Sequence, residues 1–223
     1  MTTLKARWLA LAGLALAVCA NAPANANLIV NSDFEAGNTG FTSDHTYSPG
    51  NIVPPGVYDV LANPSSAHGS ATSYGDHTTG SGLMMAVNGS TTPGEVVWGQ
   101  TVSVTPGATY DFGVWISSWY PAAPAELNFS VNGDVIGSLT APAVAGVWEL
   151  AFSTWNSGAM TSALVEVKNA NTVFTGNDFA LDDFFFGDPI FSNPDPVPAP
   201  PVGLLFGLGL AALGWTARRR RLR

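Results

Sequence analysis

From Leu28 to Gly187 the sequence alternates apolar and polar residues in short runs broken by Gly, Pro or Asn, with no convincing helical spacing. Successive side chains of a strand point to opposite faces, so such runs bury an apolar face by packing one sheet on another. Thr109 to Ser118 sets Tyr110, Phe112, Val114 and Ile116 on one face. Glu126 to Val131 does the same with Leu127, Phe129 and Val131, and Asn132-Gly133 offers a tight hairpin turn before Val135 and Ile136. Val96, Trp98, Gln100, Val102 and Val104 share a face up to Pro106-Gly107. Trp148, Leu150 and Phe152 alternate next, then Ala163, Val165 and Val167. Eight or nine such strands predict an all-β fold, an antiparallel jelly-roll β-sandwich rather than a small barrel. Ala36 to Ser81, rich in Gly, Ser, Thr, Asn and His, is expected to form long loops over one end, with Val57 to Leu61 as an interposed strand.

The two ends of the chain have a different character. Lys5 and Arg7, the apolar stretch Leu9 to Val18 and the site Ala24-Asn25-Ala26 have the three-part pattern of a secretory signal peptide over 1–26. Cys19 leaves with it, so the mature chain has no thiol for a disulfide, a nucleophile or a metal. The β-sandwich domain then spans 27–187, and a Pro-rich extended linker spans 188–200. In 201–223 an apolar run ends in Arg218, Arg219, Arg220, Arg221 and Arg223. At about 1.5 Å per residue the run from Pro201 to Ala217 reaches roughly 25 Å as a helix, close to a hydrocarbon core of about 30 Å. The arginines hold its end on the cytoplasmic side. Val197, Pro198, Ala199 and Pro200, the Gly- and Leu-rich helix and the terminal arginines resemble the PEP-CTERM sorting signal, with Ala199 where that motif has Glu. The resemblance implies export by the general secretory machinery and recognition by exosortase, a membrane protease-transpeptidase of Gram-negative bacteria that export polysaccharide. It places the working protein at the cell surface or in an extracellular polysaccharide (biofilm) matrix.

With both ends removed, Lys168 is the one basic residue left against 16 acidic ones, a charge of about −15 for residues 27–200. That excludes nucleic acid and anionic lipid surfaces as partners. It also leaves almost no internal cation for a buried carboxylate.

Two segments of the body resemble a second family. Asn27-Leu28-Ile29-Val30-Asn31-Ser32-Asp33-Phe34-Glu35 is similar to the opening strand of galactose-binding-like jelly rolls, the fold of many carbohydrate-binding modules. Gly176-Asn177-Asp178-Phe179-Ala180-Leu181-Asp182-Asp183-Phe184 is similar to their closing strand. The resemblance implies first and last strands lying close together, and in that family they often share a structural calcium.

The closing strand sets a physical problem. Regular alternation puts Phe179, Leu181, Asp183 and Phe185 on one face and Ala180, Asp182, Phe184 and Phe186 on the other, so either face buries a carboxylate among apolar side chains. Such a group must be hydrogen-bonded, protonated or bound to a cation. Calcium takes oxygen ligands and is the expected compensation, with Glu35 and Asp182 as side-chain ligands and Asp33 and Asp183 in reserve; the other reading leaves these carboxylates hydrated at strand ends. For glycan binding, Trp119 and Tyr120 fall at a strand end before Pro121, and Tyr47, Tyr58 and Tyr74 fall in or near the long loops, while Trp98, Trp148 and Trp115 or Trp155 read as core. Glu126, Glu149 and Glu166 stand on strands with no context that marks a hydrolytic pair. His45, His68 and His77, with Asp44, Asp59 and Asp76 nearby, lack any fixed metal-ligand spacing. The sequence therefore reads as a non-catalytic structural or adhesive surface protein, with a carbohydrate-binding module as the alternative and a glycoside hydrolase as the second.

Overall fold

The computed structural model describes residues 26–190. Among them ten strands form two facing sheets. The larger sheet runs β1 (Thr46–Tyr47), β2 (Val57–Leu61), β3 (Met84–Asn88), β10 (Asp178–Gly187), β5 (Thr109–Tyr120) and β8 (Glu149–Asn156). The smaller runs β4 (Val96–Ser103), β9 (Ser162–Asn169), β6 (Glu126–Val131) and β7 (Asp134–Thr140). Every pairing is antiparallel except the short one between β1 and β2. The expected jelly-roll sandwich is what the chain forms. At the β6–β7 hairpin, Asn132 (φ 53°) and Gly133 (φ 90°) take the two positive-φ positions of the turn that matches strand twist.

The alternating residues fill the space between the sheets as their period requires. Phe112, Val114 and Ile116 from β5 meet Leu127, Phe129 and Val131 from β6 and Val165 and Val167 from β9, all buried in one core. Full burial of each such side chain contributes ~1.5–3 kcal/mol.

The closing strand departs from regular alternation, and the departure resolves the problem it posed. Between Asp182 (opposite Trp115) and Phe185 (opposite Gly113) β10 holds one extra residue, a bulge with Asp183 at φ 46°. Aspartate is among the few residues that tolerate this left-handed conformation. The slip turns Phe179, Leu181, Phe184 and Phe186 all into the core, where Phe184 stacks on Trp98 at 4.0 Å. Asp182 and Phe185 lie on the outer face instead.

The expected opening strand over 27–35 is a series of turns laid beside β10. Leu28 N–H donates to Phe186 O (2.7 Å) and Phe184 N–H to Ser32 O (2.9 Å), so the two segments are neighbours as expected without a continuous ladder. The Asn31 side chain competes for the backbone: its Oδ1 accepts from Ala36 N–H and its Nδ2 donates to Gly37 O and Thr39 O. Phe34, at φ 56°, drops fully buried into the core.

Segment 48–82 crosses the outer face of the larger sheet rather than only one end. It buries Ile52 and Ala67 with Val57, Ala86 and Trp119 in a second, smaller core. The described chain enters and leaves at one end of the sandwich, where Ala26 meets Gly187 and Ile190 N–H donates to Asp111 Oδ2 (2.8 Å). Among the described residues no helix is long and apolar enough to cross a membrane. Residues 1–25 of the expected signal peptide, the motif Val197, Pro198, Ala199 and Pro200, and the segment 201–223 lie outside the described residues.

Candidate functional site

On the outer face of the larger sheet, the loop from Asp76 to Leu83 ties aromatic rings to a group of carboxylates. Asp76 organises the loop: Oδ2 accepts from Thr79 N–H (2.8 Å) and Oδ1 from Gly82 N–H (2.7 Å). Burial opposes its charge, but these hydrogen bonds outweigh burial and hold Asp76 below the usual carboxylate range. The loop is fixed to the bulge of β10, where His77 N–H donates to Asp182 Oδ2 (2.9 Å) and Thr78 Oγ1 to Asp183 Oδ1 (2.8 Å). The His77 Nδ1 lies 2.5 Å from Asp183 Oδ2. At the far end of the loop, Leu83 N–H donates to Glu35 Oε1 (2.7 Å).

The His77 ring lies flat on Trp115, 3.8 Å between centroids and 16° between planes. Trp148 stands edge-on to His77 at 5.9 Å and to Tyr74 at 6.0 Å, and its Nε1–H donates to Gly75 O (3.3 Å). Trp115, His77 and Trp148 are half-buried. Leu150, Phe152 and Phe185 continue this apolar surface across β8 and β10, with Phe152 48% exposed.

Asp182 is fully buried, and burial pushes its pKa up to about 7; Asp183 adds repulsion, two backbone N–H groups oppose the rise, and Asp76 adds more repulsion. Lys168, the one Lys or Arg among the described residues, stands on the smaller sheet with its Nζ 2.8 Å from Glu166 Oε2. The bulge therefore sets the Asp183 carboxylate, next to an Asp182 whose charge burial opposes, beside flat aromatic rings. Such a surface can hydrogen-bond hydroxyl groups and stack against the apolar face of a ring.

Of the residues expected to hold calcium, Glu35, Asp182 and Asp183 border this loop, and Asp76 joins them. A Cβ on Gly82 would collide with Glu35 Oε1 and lie 3.0 Å from Asp76 Oδ2, so those two carboxylates face each other across the glycine. Asp33 accepts only a 3.3 Å bond from Glu35 N–H. Among the described residues no three or more His, Cys, Asp or Glu side chains converge as a metal site. His45 is buried beside Val96, and His68 packs on Trp119 at 4.9 Å, so the histidines occupy separate places. Glu166 and Glu126 lie on the smaller sheet and Glu149 on the larger.

Two of the aromatic residues expected to bind glycan, Trp119 and Tyr58, are inside. Trp119 is completely buried and donates its Nε1–H to Val87 O (3.1 Å), because segment 48–82 covers the strand end where it sits. Tyr58 is 6% exposed, in the main core, with its hydroxyl on Asn38 Oδ1 (2.9 Å). Tyr74 is half-buried, and burial raises its hydroxyl well above the usual range. Tyr120 (36%) and Tyr47 (40%) are exposed. Trp148, expected in the core, flanks His77 instead, as does Trp115, while Trp155, the other of the pair Trp115 or Trp155, packs against the main core. The positions of Trp115 and Trp148, opposite the inward-facing residues of β5 and just before β8, are the signal that marks them.

Fold and site together define a jelly-roll β-sandwich with an aromatic and acidic patch on its larger sheet. No protein-family model matches the chain, and no curated protein matches it. Among solved structures it is similar to the CBM22-1 xylan-binding domain of Paenibacillus barcinonensis Xyn10C, at 18% identity over 75% of this chain and 97% of that one, with a TM-score of 0.48. It is similar to TmCBM61, solved with β-1,4-galactotriose, at 16% identity over 74% and 99% of the two chains (TM-score 0.45). It is similar as well to the Stig cyclase Fisc from Fischerella sp. TAU, at 13% identity over 74% and 100% (TM-score 0.49).

Proposed function

We propose that the protein is an exported, non-catalytic surface protein whose β-sandwich binds carbohydrate through the patch around Trp115, His77 and Trp148. The observation that supports this most is the half-buried pair of tryptophans set beside the Asp182–Asp183 bulge. Stacking surface and hydroxyl acceptors occur together there, on a loop pinned by hydrogen bonds to the Asp182 and Asp183 carboxylates. Pre-organisation of this kind lowers the entropy that binding must overcome. The signal-peptide pattern and the PEP-CTERM-like tail support delivery to the cell surface or to an exopolysaccharide matrix, with exosortase and the secretory machinery as processing partners.

A structural calcium ion belongs to the same proposal. Glu35, Asp76, Asp182 and Asp183 border one loop, and burial first, then repulsion from Asp183 and Asp76, opposes the charge on Asp182, a cost that a divalent cation would offset. A chelator is then expected to lower the melting midpoint and added calcium to restore it; an identical midpoint in both ends this part of the proposal. Carbohydrate binding is tested by screening the full-length protein in detergent against a glycan array and following tryptophan emission with each positive. At least one saturable positive with a change in emission is expected, and saturable binding to none would overturn the reading.

A further inference from the structure

The end of the sandwich opposite the chain termini carries a second exposed apolar surface. Phe174 is 69% exposed, Val53 56%, Val173 49% and Tyr120 36%, on three different segments. Several contacts place these segments at one end. Asp178, which opens β10, pairs with both Asn88 and Tyr120. Val53 O accepts from the Asn88 side chain (2.9 Å). The 171–176 loop lies along 122–124, with Asn171 Nδ2 donating to Ala123 O (3.1 Å) and Pro124 O (2.8 Å).

Beneath this surface, asparagine side chains hold the loops in place. Asn169 Nδ2 donates to Ser90 O (2.9 Å) and Asn171 O (3.1 Å), and Asn177 Nδ2 reaches the same two carbonyls. Asn169 and Asn177 are 1% and 0% exposed. An exposed ring on a braced loop loses little further freedom on binding, whereas a fraying loop would lose much more.

We infer that this tip is a second contact site for a neutral polysaccharide chain, separate from the Trp148 patch. The ring faces of Phe174 and Tyr120 supply stacking surface, and the exposed Thr172, Thr175 and Glu126 supply hydroxyl and carboxylate partners. Charge selects the occupant. A body at about −15 repels a second copy of itself, an anionic lipid surface and an anionic polymer alike, but not a neutral chain. Chain direction agrees: the described chain ends at Ile190 beside Asp111, at the opposite end, which leaves this tip clear of both ends of the described chain. Two separated sites on one polymer raise the effective concentration of the second contact, so long chains bind more tightly than short ones. The ligand class rests on the carbohydrate-binding reading; the location does not rest on the Trp148 patch.

The test is affinity electrophoresis of the full-length protein in detergent, through gels containing galactomannan, hydroxyethyl cellulose or, as the anionic control, alginate. Wild type, Phe174→Ala/Tyr120→Ala and Trp148→Ala are compared, and matched melting midpoints confirm that the exposed substitutions leave the fold intact. Retardation of wild type in a neutral gel is expected, with a loss of about 10-fold or more in apparent affinity for the tip variant. Retardation of the tip variant equal to wild type, or of wild type in alginate alone or in no gel, overturns the inference. Loss in the tip variant with Trp148→Ala unchanged sustains the tip and removes the Trp148 patch from the account; the opposite pattern does the reverse. A wild-type dimer in sedimentation that the tip substitutions dissociate, with retardation unaltered, makes the tip an interface between copies and likewise overturns it.

Discussion

Asp178 and Asp182 stand four residues apart on the outer face of β10, and burial is the first cause that raises each to a pKa of about 7. Both folded values exceed the ordinary carboxylate value of 3.8, so the fold favours the protonated acids. Their contribution to stability is therefore fully present below about pH 4 and is lost as pH rises through 7. In the presence of a chelator the melting midpoint is expected to fall by on the order of 5–10 °C between pH 5 and pH 8. Asp178→Asn replaces the acid by an uncharged isostere and flattens that fall in a pH series of thermal melts; an equally steep fall contradicts the assignment to Asp178. Trp119 is an anchor of the smaller core, so Trp119→Ala is expected to cost about 3–5 kcal/mol in denaturant unfolding. Its loss would act on stability, whereas loss of Trp148 acts on binding.

The bulge in β10 does most to place the site among the elements. Were β10 regular through Asp183, with no bulge, the strand would turn Asp183 into the core beside Phe179 and Leu181 and turn Phe184 outward. The sequence Leu181-Asp182-Asp183-Phe184 carries the signal for this, since the apolar period slips by one residue there, but strict alternation hides it. The hairpin at Asn132-Gly133 and the faces of β5, β6 and β9 were legible because turn chemistry and period agree locally. Trp119 was not legible as core, because the segment that covers it, 48–82, has no periodicity and packs through contacts distant in sequence. For the same reason the loop from Asp76 to Leu83 could not be placed against Glu35 and Asp182 from residue spacing alone. Gly82 is the tight point of that loop. Gly82→Ala sets a methyl group against Glu35 and Asp76 and is expected to destabilise by about 1–3 kcal/mol, read as an earlier denaturant midpoint. An unchanged midpoint would mean that the loop is not held where it is described.

At the scale of the whole molecule, the sandwich separates three tasks. The space between the sheets holds the fold together, the outer face of the larger sheet carries the aromatic and acidic patch, and the end where Ala26 meets Gly187 handles the chain's entry and exit. The central claim is that Trp148 and its neighbours bind saccharide. Isothermal titration of the full-length protein with the glycan selected by the array tests it most directly. Trp148→Ala, with an unaltered melting midpoint, is predicted to weaken binding by about 2 kcal/mol or more, roughly 30-fold in Kd; an affinity equal to that of wild type would contradict the account.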